Sequence, residues 1–265
     1  MNIAAHHSMA DPVTVSGTSF LLKTNTNTRV LSIKSLVKDS SSSSITIDWG
    51  DGTSNVYTTN VNSVSHTYPG DDFYLLRISD DVSSIGFKAS TNCPVIACFL
   101  SFGSKIVTIQ SNCFQNYTVD LNSTSSNWCG LSTQQYAALL KQWTSRHELV
   151  VNATTIGSYS FFPRCLNVHL VHPETLWYDA FYADGLKYVK NLVINYNLQS
   201  QSFFNSYSQF IDNSATNYEY KSVTVSNKTV SQIQSMSNYP WRLNNATFPI
   251  YIHGTDGTIN SGSLS

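Results

Sequence analysis

The pattern that most constrains this chain is alternation. Between residues 13 and 79, apolar side chains come in short runs: "VTVSG", "SFLLKT", "RVLSIKSL", "SITIDW", "SNVYTT", "VSHTY" and "FYLLRIS". Successive side chains of an extended strand point to opposite faces, so such runs build a sheet with one buried face and give a helix no continuous apolar stripe. Clusters of Asn, Ser, Gly, Asp and Pro separate them. Strands at that spacing with turn chemistry between them predict a small antiparallel sandwich. In "SITIDWGDGTS", Ile45 and Ile47 alternate with Thr46 and Asp48. Asp51-Gly52 then predicts a hairpin turn, because such turns need a positive φ that glycine adopts without a Cβ penalty. Asp48 reads as a solvent-face strand residue, Asp51 as turn chemistry and Trp49 as a sandwich anchor.

Beyond residue 82 the rhythm changes. "TIQSNCF" (108–114), "TIGSYSF" (155–161) and "TLWYDAF" (175–181) share Thr, then Ile or Leu, then Phe at a constant offset, and "NLQSQSF" (197–203) keeps the Leu-to-Phe spacing. The last three begin at residues 155, 175 and 197, a period of 20–22. Leu166 and Leu186 follow their phenylalanines at equal distance, and the strand-like "LNVHLV" (166–171) and "LKYVKNLVI" (186–194) close the units. A period of this length suits a solenoid whose stacked units pool Phe114, Phe161, Phe181 and Phe203 into one core, since a single unit cannot bury its own apolar face. The longer interval between residues 108 and 155 requires an insert. There Ser132 or Thr133 can cap a helix near 132–145, with Tyr136, Leu139, Leu140 and Trp143 on one face. Residues 229–241 read as a weaker helix halted before Pro240. "NATFPIYIHGTDGTI" reads as a terminal hairpin turning at Asp256-Gly257.

Two resemblances attach to these residues. "DWGDGT" (48–53), followed by "SHTYPGDDFYLLRIS" (65–79), resembles the PKD-type immunoglobulin-like domain. Trp49, Asp51 and Gly52 stand in its turn, and His66, Tyr68, Gly70 and Tyr74 fall on its strand pair with one extra residue before the final aromatic. The resemblance implies a non-catalytic spacer or binding module. "TIGSYSF…CLNVHL" is similar to BspA-like leucine-rich repeats: Ile156, Gly157, Phe161, Cys165 and Leu166 match, with Ser160 in place of Ala. The unit at Thr175 keeps Ala180 and Phe181 but carries Trp177 and Gly185 where Gly and Cys are expected. The fold expected is therefore mostly β with a few short helices. A tail (1–11) would precede a PKD/Ig-like β-sandwich (12–81) and a leucine-rich-repeat solenoid (82–265) containing the inserted helix. The combination is typical of that family's surface and phage proteins.

Composition narrows the partners. Charged residues make up 12 % of the chain and the net charge is −1. Without a basic stripe to neutralise phosphates, nucleic acid is not expected as a partner. The longest apolar stretch, "PVIACFLSF" (94–102), falls far short of the ~20 residues that span a bilayer, so membrane insertion is not expected. The opening "MNIAAHHSMADPV" lacks a charged segment followed by an apolar one, so no secretory signal is expected. Of the five cysteines (Cys93, Cys98, Cys113, Cys129, Cys165) none has CxxC spacing, and buried free thiols are favoured over a disulfide framework. Five Asn-x-Ser/Thr sequons, at Asn116, Asn122, Asn152, Asn227 and Asn245, are what chance supplies in so Asn-, Ser- and Thr-rich a chain.

No motif for chemistry emerges. His169, His172 and Glu174 in "HLVHPE" alternate faces on a strand and cannot share an ion without a bend. Asp71-Asp72 and Asp80-Asp81 lack the pattern of a calcium loop and read as a turn and an interdomain linker. There is no G-x-S-x-G elbow, no cysteine placed with a histidine partner, and no phosphate-binding glycine pattern. No catalytic residue, metal or cofactor is expected. What remains is surface. Trp177, Tyr178, Tyr182 and Tyr188 lie beside the repeat motif, as do Tyr159 and Tyr196, and exposed aromatics among Asn and Ser suit binding to protein or sugar. The function expected is a non-enzymatic, virion-exposed phage structural or adhesion protein. Its partners would be other virion proteins or a host-surface protein or glycan. Particle proteins are commonly symmetric, which leaves a homo-oligomer open. Two alternatives stay open: a bacterial cell-surface adhesin, and an accessory carbohydrate-binding module of an enzyme.

Overall fold

The computed structural model describes residues 17–88, 93–114, 148–158, 167–171, 175–176, 189–195, 220–235 and 249–260. Among these the fold is mostly β, in three sheets, with one short helix. Eight strands come first: β1 (Thr18–Lys23), β2 (Val30–Lys38), β3 (Ile45–Asp48), β4 (Ser54–Tyr57), β5 (Val61–Thr67), β6 (Phe73–Ile78), β7 (Val82–Phe87) and β8 (Val95–Ser101). β1 to β6 match six of the alternating runs of the sequence (the first run, 13–17, lies almost wholly outside the described residues), and β3 and β6 show the alternation directly: Ile45, Ile47, Tyr74, Leu76 and Ile78 are buried while the residues between them are partly exposed.

The first sheet, ordered β4-β3-β6-β1-β8, is antiparallel throughout. The second begins with the antiparallel trio β5-β2-β7. The two pack face to face. Phe20 of β1 meets Phe87 of β7 edge-on at 5.5 Å between ring centroids, with Phe99 at 5.5 Å and Phe114 at 6.2 Å. Edge-to-face packing aligns the positive rim of one ring with the negative face of the next.

The second sheet does not stop at residue 82, where the sequence changes rhythm. On its far side β7 pairs in parallel with β9 (Thr108–Ile109), and more strands follow along the chain. These are β10 (Glu148–Val151), β11 (Thr155–Ile156), β12 (Asn167–Leu170), β13 (Thr175–Leu176), β14 (Asn191–Ile194) and β15 (Lys221–Val225). From β9 to β14 they alternate between two sheets. β9, β11 and β13 extend the second, and β10, β12 and β14 form a third. Thr108, Thr155 and Thr175 stand in one register across the second sheet, and Ile109, Ile156 and Leu176 in the next. Gly157 follows from this stacking. Its N–H donates to the Ile109 carbonyl at 2.8 Å, and a Cβ there would press into the Ser111 backbone, 2.6 Å from its Oγ.

The third sheet continues in parallel from β10 through β12, β14 and β15 to β16 (Ile250–His253), and β17 (Thr258–Asn260) closes it antiparallel. Leu149, Val168, Leu192, Val223 and Ile252 form one continuous buried row across its five parallel strands. This row and the aromatic cluster belong to a single core. The hairpin expected at Asp256-Gly257 joins β16 to β17. Its Asp256 carboxylate accepts the N–H of Val230, the first residue of α1 (Val230–Ser235), at 2.7 Å. Thr229 and Gln232 form a capping box at that end: Gln232 N–H donates to the Thr229 hydroxyl and Thr229 N–H to the Gln232 amide oxygen. Among the described residues no helix is long and apolar enough to cross a membrane. The helix expected near 132–145 lies outside the described residues.

A polar junction joins the first two sheets. Lys105 sits 3.8 Å from Asp81 and 3.9 Å from Asp39, and Asp80 accepts the Lys105 backbone N–H at 3.3 Å. Asp80-Asp81 thus anchors the turn that leads into β9.

Candidate functional site

The two carboxylates of the "DWGDGT" stretch are the first candidates for chemistry. β3 and β4 pair with Asp48 opposite Ser54, which leaves residues 49–53 as the loop. Two glycines permit its path, Gly50 at φ +82° and Gly52 at +92°. Each aspartate folds back on its own backbone. Asp48 accepts the Gly50 N–H at 2.9 Å, and Asp51 accepts the Thr53 N–H at 3.0 Å and its hydroxyl at 2.6 Å. Asp48 turns outward to Arg77 at 3.1 Å, whereas Asp51 turns inward to His66 Nε2 at 2.8 Å. Burial works to raise the Asp51 pKa, but the hydrogen bonds from Thr53 and His66 outweigh it and hold the carboxyl below its ordinary value.

His66 lies flat on Trp49, with ring centroids 4.5 Å apart and planes 7° from parallel. Tyr68 meets the His66 ring edge-on at 4.8 Å and stacks on Tyr74 at 4.4 Å. Trp49 is buried, and its indole N–H donates to Asn55 at 2.7 Å. An aspartate on a histidine is part of a hydrolytic triad, and the missing part is a nucleophile on the other ring nitrogen. Among the described residues no hydroxyl or thiol is recorded hydrogen-bonded to His66. The pair instead ties the β3–β4 loop to β5. Trp49, Asp51, His66 and Tyr68 come together in one cluster, Gly52 lies exposed in the loop beside it, and Phe114 is buried in the aromatic core.

The aromatic candidates Trp177, Tyr178, Tyr182 and Tyr188 lie outside the described residues, as do Tyr159, Tyr196, Phe161, Phe181 and Phe203. Of the "HLVHPE" group, His169 is described, 3.9 Å from Glu148. Among the described residues no group of three or more His, Cys, Asp or Glu is placed to hold a metal ion. Cys113 is fully buried, with its Sγ donating to the Ile85 carbonyl at 3.4 Å, and burial pushes its thiol pKa up.

A second surface emerges on the outer face of the third sheet. Because side chains alternate and the strands run in register, the polar positions of each strand line up into rows. One row reads Glu148, Asn167, Asn191, Ser222, Tyr251 and Asn260 from β10 to β17. The next reads Val150, His169, Val193, Thr224, His253 and Thr258. Within the first row, Asn191 donates to Asn167 at 2.7 Å and Ser222 donates to Asn191 at 2.7 Å. Each amide side chain is therefore held in one orientation, with one Asn191 N–H and the Ser222 oxygen still able to meet a ligand. Beside this ladder, Tyr220 and Tyr251 meet edge-on at 5.6 Å, and the Lys190 ammonium stands 4.1 Å over the Tyr220 ring. The two tyrosines are 39 % and 36 % exposed.

Sequence reasoning missed this face. The polar positions of "NVHL", "NLVI", "KSVTV" and "IYIH" alternate visibly, but which of them are neighbours depends on pairing across intervals of 19 to 31 residues. Comparison of the chain with known protein families, curated proteins and solved structures finds no match.

Proposed function

We propose that this chain is a PKD-like sandwich carrying a coil of leucine-rich-repeat type, and that it works as a non-enzymatic, virion-exposed phage protein that binds a host surface. The observation that carries the proposal is the outer face of the third sheet: five parallel strands holding two rows of mostly uncharged polar side chains, with two exposed tyrosines beside them. A parallel sheet is a stiff platform, and side chains fixed by their own ladder lose little freedom on binding. Support for the fold comes from alternation of β9 through β14 between two parallel ladders, and from the Trp49–His66–Asp51 cluster at the turn the resemblance singles out.

The test is antibody labelling of intact particles, combined with competition by the purified chain for particle adsorption to cells. Label on the particle surface and reduced adsorption are expected. A chain absent from particles but carried on the bacterial surface would replace the proposal with the cell-surface adhesin. A well-folded chain that neither sits on a particle nor binds cells would overturn adhesion altogether.

A further inference from the structure

We infer that β4 is a self-pairing edge: two copies of the chain join by antiparallel pairing of β4 with β4 of the second copy, about a two-fold axis at Val56. The inference concerns assembly and does not depend on the adhesion reading.

Hydrogen-bond direction decides which residues of β4 (Ser54–Tyr57) face outward. Among the described residues its neighbour is β3, and just beyond the Asp48↔Ser54 pair the Trp49 N–H donates to the Thr53 carbonyl at 3.0 Å. Bonded and non-bonded pairs alternate along an antiparallel ladder, so Asp48↔Ser54 and Thr46↔Val56 exchange no backbone hydrogen bond. Thr46 bears this out. Its carbonyl accepts the Ser79 N–H at 2.9 Å and its own N–H donates to the Ser79 hydroxyl at 3.1 Å, both on the side of β3 that faces β6. The N–H and C=O of Ser54 and Val56 therefore point out of the sheet, and among the described residues they have no partner.

Unpaired backbone groups along an edge are a template for another strand, and edges that stay single usually carry charge, proline or a kink. β4 has none of these: its residues are Ser, Asn, Val and Tyr, all at negative φ. The edge of the second sheet, β5, differs, because Ser63 takes φ +57° in mid-strand and turns the backbone out of extended form. The far edge of the first sheet, β8, lies against β10. β4 also holds Val56, 64 % exposed, the most exposed large hydrophobic side chain among the described residues.

The occupant that fits this edge is the same strand. Opposite residues of an antiparallel pair point to the same face, and a two-fold contact sets each residue against its own counterpart's surface. With the axis at Val56, the two valines cover each other on the outer face and exchange both N–H···O bonds, while Asn55 stands beside Tyr57 of the second copy. Neither strand brings a charge to the contact. Sliding by one residue sets outward backbone groups against groups already bonded to β3, and sliding by two leaves each valine over a serine. Four residues per copy cover little area, so the dimer is weak, with a Kd on the order of 100 µM.

The test is sedimentation equilibrium of the full chain under reducing conditions, from about tenfold below to about tenfold above that Kd. A reversible monomer–dimer equilibrium is expected. Val56→Lys sets two ammonium groups opposite each other and should weaken the dimer at least about tenfold. Val56→Pro removes the outward N–H, which the β3 ladder does not use, and should weaken it as much. Thermal unfolding confirms that each variant is folded. Under oxidising conditions Val56→Cys should form a disulfide between the two substituted positions, read by peptide mass spectrometry, since opposite Cα atoms of a bonded pair stand about 5.5 Å apart. Ser54→Cys should not, because its two copies lie about 14 Å apart, beyond disulfide reach. A chain monomeric throughout the range overturns the inference. So does a dimer that Val56→Lys leaves unchanged, or Ser54→Cys linking as readily as Val56→Cys.

Discussion

Substituting the two glycines of the β3–β4 loop separates backbone strain from packing. Both sit at positive φ, +82° at Gly50 and +92° at Gly52, so alanine at either must hold an L-residue in left-handed territory at a cost of about 1–2 kcal/mol. Their surroundings differ. A Cβ on Gly52 would meet nothing within 4 Å. A Cβ on Gly50 would press into the Leu75 carbonyl and stand 2.7 Å from its amide nitrogen. Leu75 cannot retreat easily, because β6 pairs with β1 through Leu21↔Leu75. If the loop moves instead, Trp49 leaves its buried seat. Overpacking of this kind adds about 1–3 kcal/mol, which brings Gly50→Ala to about 2–5 kcal/mol against about 1–2 for Gly52→Ala. In a chain of this size each kcal/mol lowers Tm by about 2–4 °C. Thermal unfolding followed by near-ultraviolet circular dichroism, which reports the Trp49 environment, measures both. Gly52→Asn should be milder than Gly52→Ala, since Asn tolerates positive φ better. Equal losses for the two alanine variants, or a greater loss at Gly52, would refute the packing of the loop on β6.

Further predictions concern the buried carboxylate, the buried thiol and the continuous sheet. Asp51 has a lowered pKa in the fold, so its contribution is present above the unfolded carboxylate value of about 3.9 and is lost as pH falls through the lower folded value. Urea unfolding of Asp51→Asn between pH 5 and pH 2 should show a shallower fall in stability than wild type, and parallel curves would sink that assignment. Cys113 should stay unmodified by iodoacetamide until denaturant unfolds the chain, as read by peptide mass spectrometry; labelling of the native protein there would contradict its burial. A fragment ending at residue 81 loses β7 and β8, and with them the Phe87 and Phe99 rings that pack on Phe20. It should unfold without a cooperative transition, and a sharp two-state melt would show that the first sheets do not need their continuation.

Local chemistry was legible in the residues, and lateral neighbourhood was not. Period-2 alternation placed the strands from β1 to β6 and, in β3, the side that is buried, because that depends only on the geometry of an extended backbone; β1, buried at all six positions, and β4, buried at none, do not follow it. Asp-Gly placed the β3–β4 and β16–β17 turns; at the first, Gly52 takes the positive φ that glycine permits, whereas Gly257 turns without it. The recurring Thr-Ile and Thr-Leu pairs marked the repeat without being read as strands, and the structure sets them side by side as β9, β11 and β13. Tertiary structure decided the rest. It made Gly50 the constrained glycine, through a contact with Leu75 that lies 25 positions along the chain. It turned Asp48 and Asp51, three residues apart, toward different partners on β6 and β5. It carried one sheet across residue 82, where composition alone suggests a boundary. It also brought Asn191, Ser222 and Tyr251 into one row and set Lys190 over Tyr220. A strand's pattern determines what it shows on each face, but which strand lies beside it follows from the packing of the whole core, and that is a non-local quantity.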